Sequence, residues 1–201
     1  MGQAAQTADD EIRTELIDGK IVMMSPRPCV DHTRAGGRIY RIFDEALEGK
    51  QCEAFPDGVD VFLDEKNRFV PDAMIVCDPK QIKPDRIVGA PTLVVEVLSP
   101  STAMRDRTSK MRAYAKAGVQ EYWLVDVIGC HIEVYRPQDG RFELTRIYQY
   151  YSPEELQAYA EEDEAHRLSD EEAEQTIHVD LCGGFDVELG VVFERVRGTA
   201  L

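Results

Sequence analysis

The alternation of apolar and polar residues predicts a hairpin followed by a helix in the first fifty residues. RTELI (13–17) and KIVMM (20–24) flank Asp18-Gly19, a dipeptide suited to the positive backbone angles of a two-residue hairpin turn. From Asp31, a good helix N-cap, apolar residues recur at helical spacing until Gly49. This segment is therefore predicted to be an amphipathic helix of about four turns.

Further along, apolar runs bounded by Gly, Pro or Asp predict strands on both sides of a second helix. Ser99–Thr102 supplies caps for that helix, and Gly118 is its expected end. The predicted strands are VDVFL (59–63), RFVPDAMIVC (68–77), PTLVVEVL (91–98), EYWLVDVI (121–128) and HIEVYR (from 131). This order of elements predicts an α/β or α+β domain built on a mixed β-sheet flanked by helices.

The length of the chain predicts a single domain. It has 201 residues and a mass of 22.7 kDa, which accommodate one ordinary globular domain. We assign residues 11–201 to that domain and interpret the small, polar residues 1–10 as a disordered tail. No apolar run approaches the roughly 18 residues that a membrane-spanning helix requires, and the N-terminus has no signal-peptide pattern. We therefore expect a cytoplasmic protein that does not contact a membrane.

The five cysteines are odd in number, widely scattered and without any CxxC pair. This pattern is typical neither of a disulfide framework nor of a thiolate zinc site. We interpret them as reduced, mostly buried small hydrophobic residues. They are Cys29, Cys52, Cys77, Cys130 and Cys182.

The net charge of -15 argues against a general nucleic-acid coat, because phosphate neutralisation rests on Lys and Arg. Much of the acidity lies in residues 151–180, which are predicted to form one or two solvated acidic helices within a segment spanning 150–180. In contrast, residues 101–120 carry five basic residues and one acid. A local basic surface is therefore predicted within an acidic protein.

Two acidic residues stand where apolar residues are expected. Glu96 lies inside LVVEVL (93–98), a run that is otherwise wholly apolar. Burying an unpaired carboxylate costs several kcal/mol, so Glu96 requires a cation, a hydrogen-bond partner or a wet cleft. Asp72 has the same character, since it follows Pro71 inside FVPDAMIV. Both residues are therefore candidates for a functional site.

A divalent ion would relieve the repulsion between these two carboxylates. If their strands are neighbours, the two groups lie on the order of 5 Å apart. Mg²⁺ takes oxygen ligands, typically one or two carboxylates with waters, and Mn²⁺ is the alternative ion. Such an ion would generate a hydroxide and stabilise charge on a phosphodiester. We therefore expect Asp72 and Glu96 to be metal ligands.

Lys110 is the third candidate because its predicted depth matches that of Glu96. On a helical wheel it lies about 40° from Tyr114, at the margin of the apolar stripe. A helix that folds back from Thr102 advances roughly 12 Å to Lys110, while the strand retreats roughly 10 Å from Ser99 to Glu96. The ammonium could then steady an attacking water or neutralise developing charge. The alternative is a purely structural ion pair between Lys110 and Glu96.

The motifs around these residues resemble a known family. VPDAMIV and GAPTLVVEVLSPSTAMRDRTSKMRAYAKAGVQEYWLVD resemble the core of the Uma-two family, a bacterial group assigned as endonucleases within the PD-(D/E)XK superfamily. The resemblance runs from the ELIDGKIV hairpin to about Tyr135 and implies a restriction-endonuclease-like core. It also implies that Asp72 is the first metal ligand and that Glu96 is the acid of the second motif. The simple signature would place Lys at position 98, which is Leu98 here, and Lys110 is its match on the helix.

Four further residues are weaker candidates. By the resemblance, Glu15 matches an acid of the family's first hairpin that adds a ligand or holds a metal-bound water; the alternative is a surface glutamate. His32 lies seven residues before Ile39 on the same helix face, where it is either a site residue or a satisfied core histidine. Arg105 and Arg107 either contact phosphates or are solvated.

These observations lead to two hypotheses of different class. The first is a Mg²⁺- or Mn²⁺-dependent endonuclease that hydrolyses phosphodiester bonds, with DNA as the expected substrate. The second is a non-catalytic binding or regulatory module that keeps the fold and uses its acidic segment as a partner-binding surface. Because DNA must approach a protein of charge -15, we also expect a homodimer or higher homo-oligomer that gathers the basic faces of residues 101–116 in one cleft.

Overall fold

The computed structural model of the chain describes residues 13–24, 28–163 and 165–196. The predicted tail, residues 1–10, lies outside the described residues, and the division into a tail and one domain stays a prediction. The strands are β1 (Thr14–Ile17), β2 (Lys20–Met23), β3 (Glu53–Pro56), β4 (Val61–Asp64), β5 (Asn67–Phe69), β6 (Ala73–Val76), β7 (Ile87–Val88), β8 (Leu93–Val97), β9 (Glu121–Asp126), β10 (His131–Gln138), β11 (Arg141–Gln149), β12 (Thr176–Val179) and β13 (Phe185–Glu188). The helices are α1 (Val30–Leu47), α2 (Ala103–Arg105), α3 (Met111–Ala117), α4 (Pro153–Glu161) and α5 (Leu189–Phe193).

The N-terminal hairpin and the first helix form as predicted. β1 and β2 pair in antiparallel fashion around Asp18 and Gly19, whose φ angles of 50° and 78° are those of the predicted turn. α1 begins one residue before Asp31 and ends two residues before Gly49. The N-cap is Cys29, and Asp31, the predicted N-cap, lies in the first turn instead.

A six-stranded mixed sheet forms the centre of the structure. Its order is β11-β10-β9-β8-β6-β3, and β8 runs parallel to β9 while the other neighbours are antiparallel. A five-stranded sheet of order β2-β1-β5-β4-β7 packs beside it. Mixed sheets flanked by helices confirm the predicted fold class.

The predicted strand 68–77 is divided between the two sheets. β5 pairs with β1 and β4, whereas β6 pairs with β3 and β8. The break falls at Pro71, whose nitrogen carries no hydrogen for a strand ladder. The chain can therefore change sheets there, and Asp72 stands at the entrance to β6.

Each face of the six-stranded sheet is covered. On one face, α1 buries Ala35, Ile39 and Phe43 against the sheet, and α5 packs on the same side. On the other face, Tyr114 of α3 and Phe69 of β5 pack edge to face, with ring centroids 5.1 Å apart. This second face is the one that contains Glu96.

The second helix differs from the regular helix that was predicted. A π-helical segment, Asp106–Lys110, separates α2 from α3. The helix ends at Gly118, as predicted, in the left-handed conformation with a φ angle of 99°. The π-helical segment brings both of its terminal side chains, Asp106 and Lys110, into the interior.

The acidic segment contains one helix within its described residues. Ser152 and Glu155 form a reciprocal capping box at the start of α4. The described residues between α4 and β12 form turns, so the structure has one helix where one or two were expected. No described helix combines the length and the apolar character needed to cross a bilayer.

Two cysteines predicted to be reduced form a disulfide. Cys52 precedes β3 and Cys77 follows β6, and their sulfurs are bonded. The strands are antiparallel and Glu53 pairs with Val76. The residue before Glu53, Cys52, therefore lies opposite the residue after Val76, Cys77. Sequence spacing could not reveal this, since 25 residues separate the pair.

Candidate functional site

A buried ammonium lies among three carboxylates between the two sheets. Lys110 Nζ is 2.6 Å from Glu96 Oε1, 3.2 Å from Glu15 Oε1 and 3.3 Å from Asp106 Oδ1. The Lys110 side chain is only 5% exposed, and all three acids are buried. We call these four residues the Lys110 cluster.

Three separate elements supply the carboxylates of the Lys110 cluster. Glu96 comes from β8, in the centre of the six-stranded sheet. Glu15 comes from β1 in the neighbouring sheet, and its Oε1 also accepts a hydrogen bond of 3.3 Å from the backbone of Val70. Asp106 comes from the same π-helical segment as Lys110. Both sheets and the helix therefore have to pack before the cluster exists.

Asp106 is a site residue that the sequence analysis did not identify. Its Oδ1 lies within ion-pair distance of Lys110, yet it makes no hydrogen bond of good geometry. Its backbone carbonyl accepts a 3.0 Å hydrogen bond from the Tyr122 hydroxyl. The spacing of four residues between Asp106 and Lys110 was the signal available, because residues four apart share one helix face.

Tyr114 is a second residue of the site that the sequence analysis assigned to the core alone. Its hydroxyl donates a hydrogen bond of 2.9 Å to Glu96 Oε1. The ring is fully buried, so it fills the core while the hydroxyl serves the carboxylate. Lys110 and Tyr114 therefore contact the same oxygen of Glu96.

Burial and charge act in opposite directions on the pKa values of this site. Burial raises the pKa of Glu96 well above its usual range, and repulsion from Asp106, Asp72 and Glu15 adds to it, while Lys110 opposes the rise. Burial by itself would lower the pKa of Lys110, but attraction to the surrounding carboxylates outweighs it and the pKa lies well above the usual range. Lys110 is therefore charged at neutral pH, and the site as a whole has an excess of acids.

Asp72 lies at the entrance to β6, on the more exposed side of the site. The β6–β8 register pairs Ala73 with Val95, so Asp72 lies one residue before the paired part of β6, and its charge adds to the rise in the pKa of Glu96. Asp72 Oδ2 accepts a 2.7 Å hydrogen bond from the Val97 backbone and lies 3.6 Å from His32 Nε2. Its side chain is 16% exposed, against 5% for Glu96.

Burial raises the pKa of Asp72 to about 6, although His32, the Val97 amide and Lys110 each oppose the rise. His32 comes from the first turn of α1, so that helix closes one side of the site. The structure thus brings together five of the predicted candidates, namely Glu15, His32, Asp72, Glu96 and Lys110.

The two candidate phosphate-binding arginines lie elsewhere. Arg107 forms a short ion pair with Glu133 of β10, which also accepts a 2.6 Å hydrogen bond from the Tyr135 hydroxyl. Arg105 donates to the backbone carbonyl of Ser101 at 3.2 Å and is half-buried. Phosphate binding by these arginines stays a prediction.

Three ligand atoms of His, Cys, Asp or Glu come within 4.8 Å of one another at only one place in the described part of the chain. That place is a cysteine group at the far end of the six-stranded sheet, and not the Lys110 cluster. At the Lys110 cluster the ammonium itself lies between the carboxylates.

Comparisons with known proteins show the family of the chain. The profile of the Uma2 family, whose description is "Putative restriction endonuclease", matches residues 3–169. Two proteins of Synechocystis sp., both described as uncharacterized, are similar in sequence. The protein slr1290 is 34% identical over 137 residues, which cover 67% of this chain and 72% of that protein. The protein sll1609 is 28% identical over 133 residues, which cover 64% of this chain and 75% of that protein.

A solved structure is similar in fold. It is a crystal structure from Anabaena variabilis, described as "a putative nuclease belonging to DUF820", with a TM-score of 0.63 and 18% sequence identity. The alignment covers 94% of each chain. At this identity the likeness establishes a shared fold.

Proposed function

The chain belongs to the Uma2 family, and from this premise we propose that it is a Mg²⁺- or Mn²⁺-dependent endonuclease that hydrolyses phosphodiester bonds of DNA. The observation that carries the proposal is the 2.6 Å contact between Lys110 and Glu96, with Asp72 close enough to interact electrostatically with both. An acid pair and an amine in one buried place are the groups that metal-assisted phosphodiester hydrolysis requires.

The donor set of the site suits a hard divalent ion. The internal contacts of Asp72 fall on Oδ2, and those of Glu96 fall on Oε1. Asp72 Oδ1 and Glu96 Oε2 are therefore the oxygens that we assign to the ion. Mg²⁺ commonly uses one or two carboxylates and completes its octahedron with water and substrate phosphate. A bound ion would lower the pKa of a coordinated water and stabilise negative charge on the phosphate.

The protein side chains have distinct tasks in this proposal. Lys110 orients Glu96 through Oε1 and provides a positive charge that offsets charge developing on the phosphate. The Tyr114 hydroxyl donates a hydrogen bond to the same oxygen of Glu96. His32 Nε2 lies 3.6 Å from Asp72 Oδ2 and orients that carboxylate. Glu15 and Asp106 fix the position of Lys110. Apart from Asp72 and Glu96, the acids are thus positioning residues.

DNA has to approach a protein of net charge -15. Of the five basic residues in 101–116, Lys110 is buried and Arg107 is paired with Glu133. The positive surface therefore consists of Arg105, Arg112 and Lys116. Dimerisation would place two such surfaces together, and light scattering on the purified protein tests this prediction against a monomer mass of 22.7 kDa.

A plasmid-nicking assay tests the proposal. We expect Mg²⁺- or Mn²⁺-dependent nicking by the wild type, and its loss in Asp72→Asn and Glu96→Gln proteins purified free of other nucleases. Asp85→Asn is the matched control, because it makes the same change at an exposed carboxylate that pairs with Arg86. Equal nicking by the Glu96→Gln and wild-type proteins would reject this site.

One observation favours the non-catalytic alternative. The Lys110 ammonium faces three carboxylates and is almost fully enclosed, which also describes a self-contained ion-pair network. In that case the acidic segment around α4 would bind a partner. Calorimetric titration with Mn²⁺ distinguishes the two functions: no binding at millimolar metal favours the binding module.

A further inference from the structure

Three cysteine sulfurs meet at the end of the six-stranded sheet that is remote from the Lys110 cluster. The Cys52–Cys77 disulfide joins the start of β3 to the end of β6. Cys182, in the 3₁₀ turn Leu181–Gly183, places its Sγ 3.3 Å from Cys77 Sγ. Elements far apart in sequence therefore supply one sulfur group, which we call the cysteine trio.

The three sulfurs lie close enough together to share one ion. All three lie within 4.8 Å of one another. This spacing suits three ligands on one ion, since thiolates bound to Zn²⁺ at about 2.3 Å lie roughly 3.8 Å apart in a tetrahedral site.

The surroundings of the cysteine trio provide access and charge balance. The three cysteines line a cavity of about 500 Å³ together with Lys50, Gln51, Thr92, Gln120 and Leu181. The cavity leaves room for water as a fourth ligand, as in zinc sites with three protein ligands. Zn²⁺ with three thiolates carries one negative charge, and the Lys50 ammonium lies 3.7 Å from the point that a Cβ on Gly183 would occupy. A compensating positive charge is thus already present.

The backbone holds Cys182 in an unusual conformation. Its φ angle is 60°, and Gly183 and Gly184 follow with φ angles of 89° and 78°. A left-handed conformation is uncommon for residues with a side chain. The turn therefore directs Cys182 toward the disulfide in a conformation that costs free energy. Such strain is typical of functional positions, and a role of the thiol as a metal ligand would explain it.

We propose that the reduced cysteine trio is a three-thiolate binding site for one Zn²⁺ ion. A thiol reductant, either a small dithiol or a thioredoxin-class protein, supplies two electrons and two protons to the Cys52–Cys77 bond and is itself oxidised to a disulfide. The bond breaks to give two thiols. Zn²⁺ then binds the three sulfurs and releases their three protons. The disulfide is the oxidised, metal-free form of the site.

The site would attach the C-terminal part of the chain to the sheet edge. β3 is the edge strand of the six-stranded sheet, and Cys182 lies between β12 and β13. Asp72 and Cys77 flank β6 at opposite ends, so roughly 16 Å of extended strand separates them. The zinc site is therefore independent of the proposed nuclease centre and does not depend on that function.

Titration of the reduced full-length chain with Zn²⁺ tests the proposal. The protein is reduced with a phosphine, transferred anaerobically to buffer, and titrated in competition with a chromogenic chelator. We expect one tightly bound Zn²⁺, protection of three of the five thiols from a thiol reagent, and charge-transfer absorption from thiolates when Cd²⁺ replaces zinc. The oxidised protein should bind at least 100-fold more weakly.

Variants separate this site from other zinc binding. Cys182→Ser should weaken binding at least tenfold, and Cys52→Ser provides a second test if the first variant fails to fold. Cys130→Ser should bind as the wild type does, because Cys130 lies outside the cysteine trio. Absence of zinc binding by the reduced protein, binding unaffected by Cys182→Ser, or a disulfide that resists reduction in the folded protein would each overturn the proposal.

Discussion

The Tyr114 hydroxyl donates its hydrogen bond to Glu96 Oε1, the same oxygen that Lys110 contacts. This shared contact turns one oxygen of Glu96 toward the protein and fixes the orientation of the carboxylate. The consequence is that a phenol and an ammonium, both buried, control a group that we assign to the metal.

Replacement of Tyr114 by Phe should weaken both stability and activity. The ring still fills the core, so the loss is that of a buried hydrogen bond to a carboxylate, about 1.5–3 kcal/mol. Because Tyr114 positions a proposed metal ligand, we expect nicking to fall about 10–100-fold. Urea unfolding and the nicking assay measure the two effects. Tyr159→Phe, on the more exposed helix α4, should change neither; an unaltered Tyr114→Phe protein would contradict the assigned contact.

Replacement of Lys110 by Met should destabilise the fold strongly. It leaves Glu15, Glu96 and Asp106 buried without their cation, a loss of about 3–5 kcal/mol. The exposed Lys116→Met is the control and should change the free energy of unfolding by less than about 0.5 kcal/mol. Addition of Glu96→Gln to Lys110→Met should restore part of the stability, as one carboxylate fewer remains unpaired.

The loss caused by Lys110→Met should depend on pH. Without Lys110, the pKa of Glu96 rises further above its value in the unfolded chain, so the folded state binds more protons than the unfolded state does. The free energy of unfolding of Lys110→Met then increases as the pH falls toward the pKa that Glu96 has in the unfolded chain. Unfolding curves at several pH values check the sign: a deficit that grows on acidification would contradict the buried carboxylate cluster.

The raised pKa of Asp72 predicts that this carboxylate destabilises the metal-free fold at neutral pH. The pKa is about 6 in the folded state and about 3.9 in the unfolded state. The folded state therefore binds the extra proton, and stability is lost as pH rises through this interval. Relative to the wild type, Asp72→Asn should gain about 2–3 kcal/mol of stability between pH 4 and pH 8. The measurement requires a chelator, since a bound ion would reverse the effect.

Other charges face Asp72, and the experiment has to separate them. His32 of α1, Lys110, Asp57 and Arg13 all interact with it electrostatically. His32 Nε2 lies 3.6 Å from Asp72 Oδ2 and is the neighbour to remove first. Repeating the comparison in a His32→Asn background isolates the Asp72 contribution. A stability difference that does not vary with pH in that background would contradict the raised pKa.

Arg105 and Arg107 should respond differently to replacement. Arg105→Ala should weaken DNA binding with little change in the free energy of unfolding. The slope of log binding constant against log salt concentration should fall by about one, which is the contribution of one phosphate contact. Arg107→Ala should lower stability instead, because Glu133 is buried and loses its ion pair. Binding measured across salt concentrations, together with urea unfolding, distinguishes the two; identical salt slopes for wild type and Arg105→Ala would rule out the phosphate contact.

Local sequence pattern predicted the fold class, the first hairpin, α1 and the end of the second helix. It did not predict that residues 68–77 divide between two sheets at Pro71, nor the π-helical segment that carries Asp106 and Lys110. Those features depend on which strands pair and on hydrogen bonds between residues far apart in the fold. One example is the hydrogen bond that the Tyr122 hydroxyl donates to the backbone carbonyl of Asp106.

The sequence by itself determined that Asp72 and Glu96 were unusual, because a charge within an apolar run is costly to bury whatever the fold. It selected Lys110 through its predicted depth on the helix and through the family resemblance. Only the tertiary structure decided that Glu15 and Asp106 join Lys110, that Tyr114 serves Glu96, that Arg107 is held by Glu133, and that Cys52, Cys77 and Cys182 meet. The distance between the side chains in each of these contacts depends on how separate elements pack or on how a helix is rotated about its axis. Spacing along the chain does not encode such distances, whereas the free-energy cost of a buried charge is visible in a single strand.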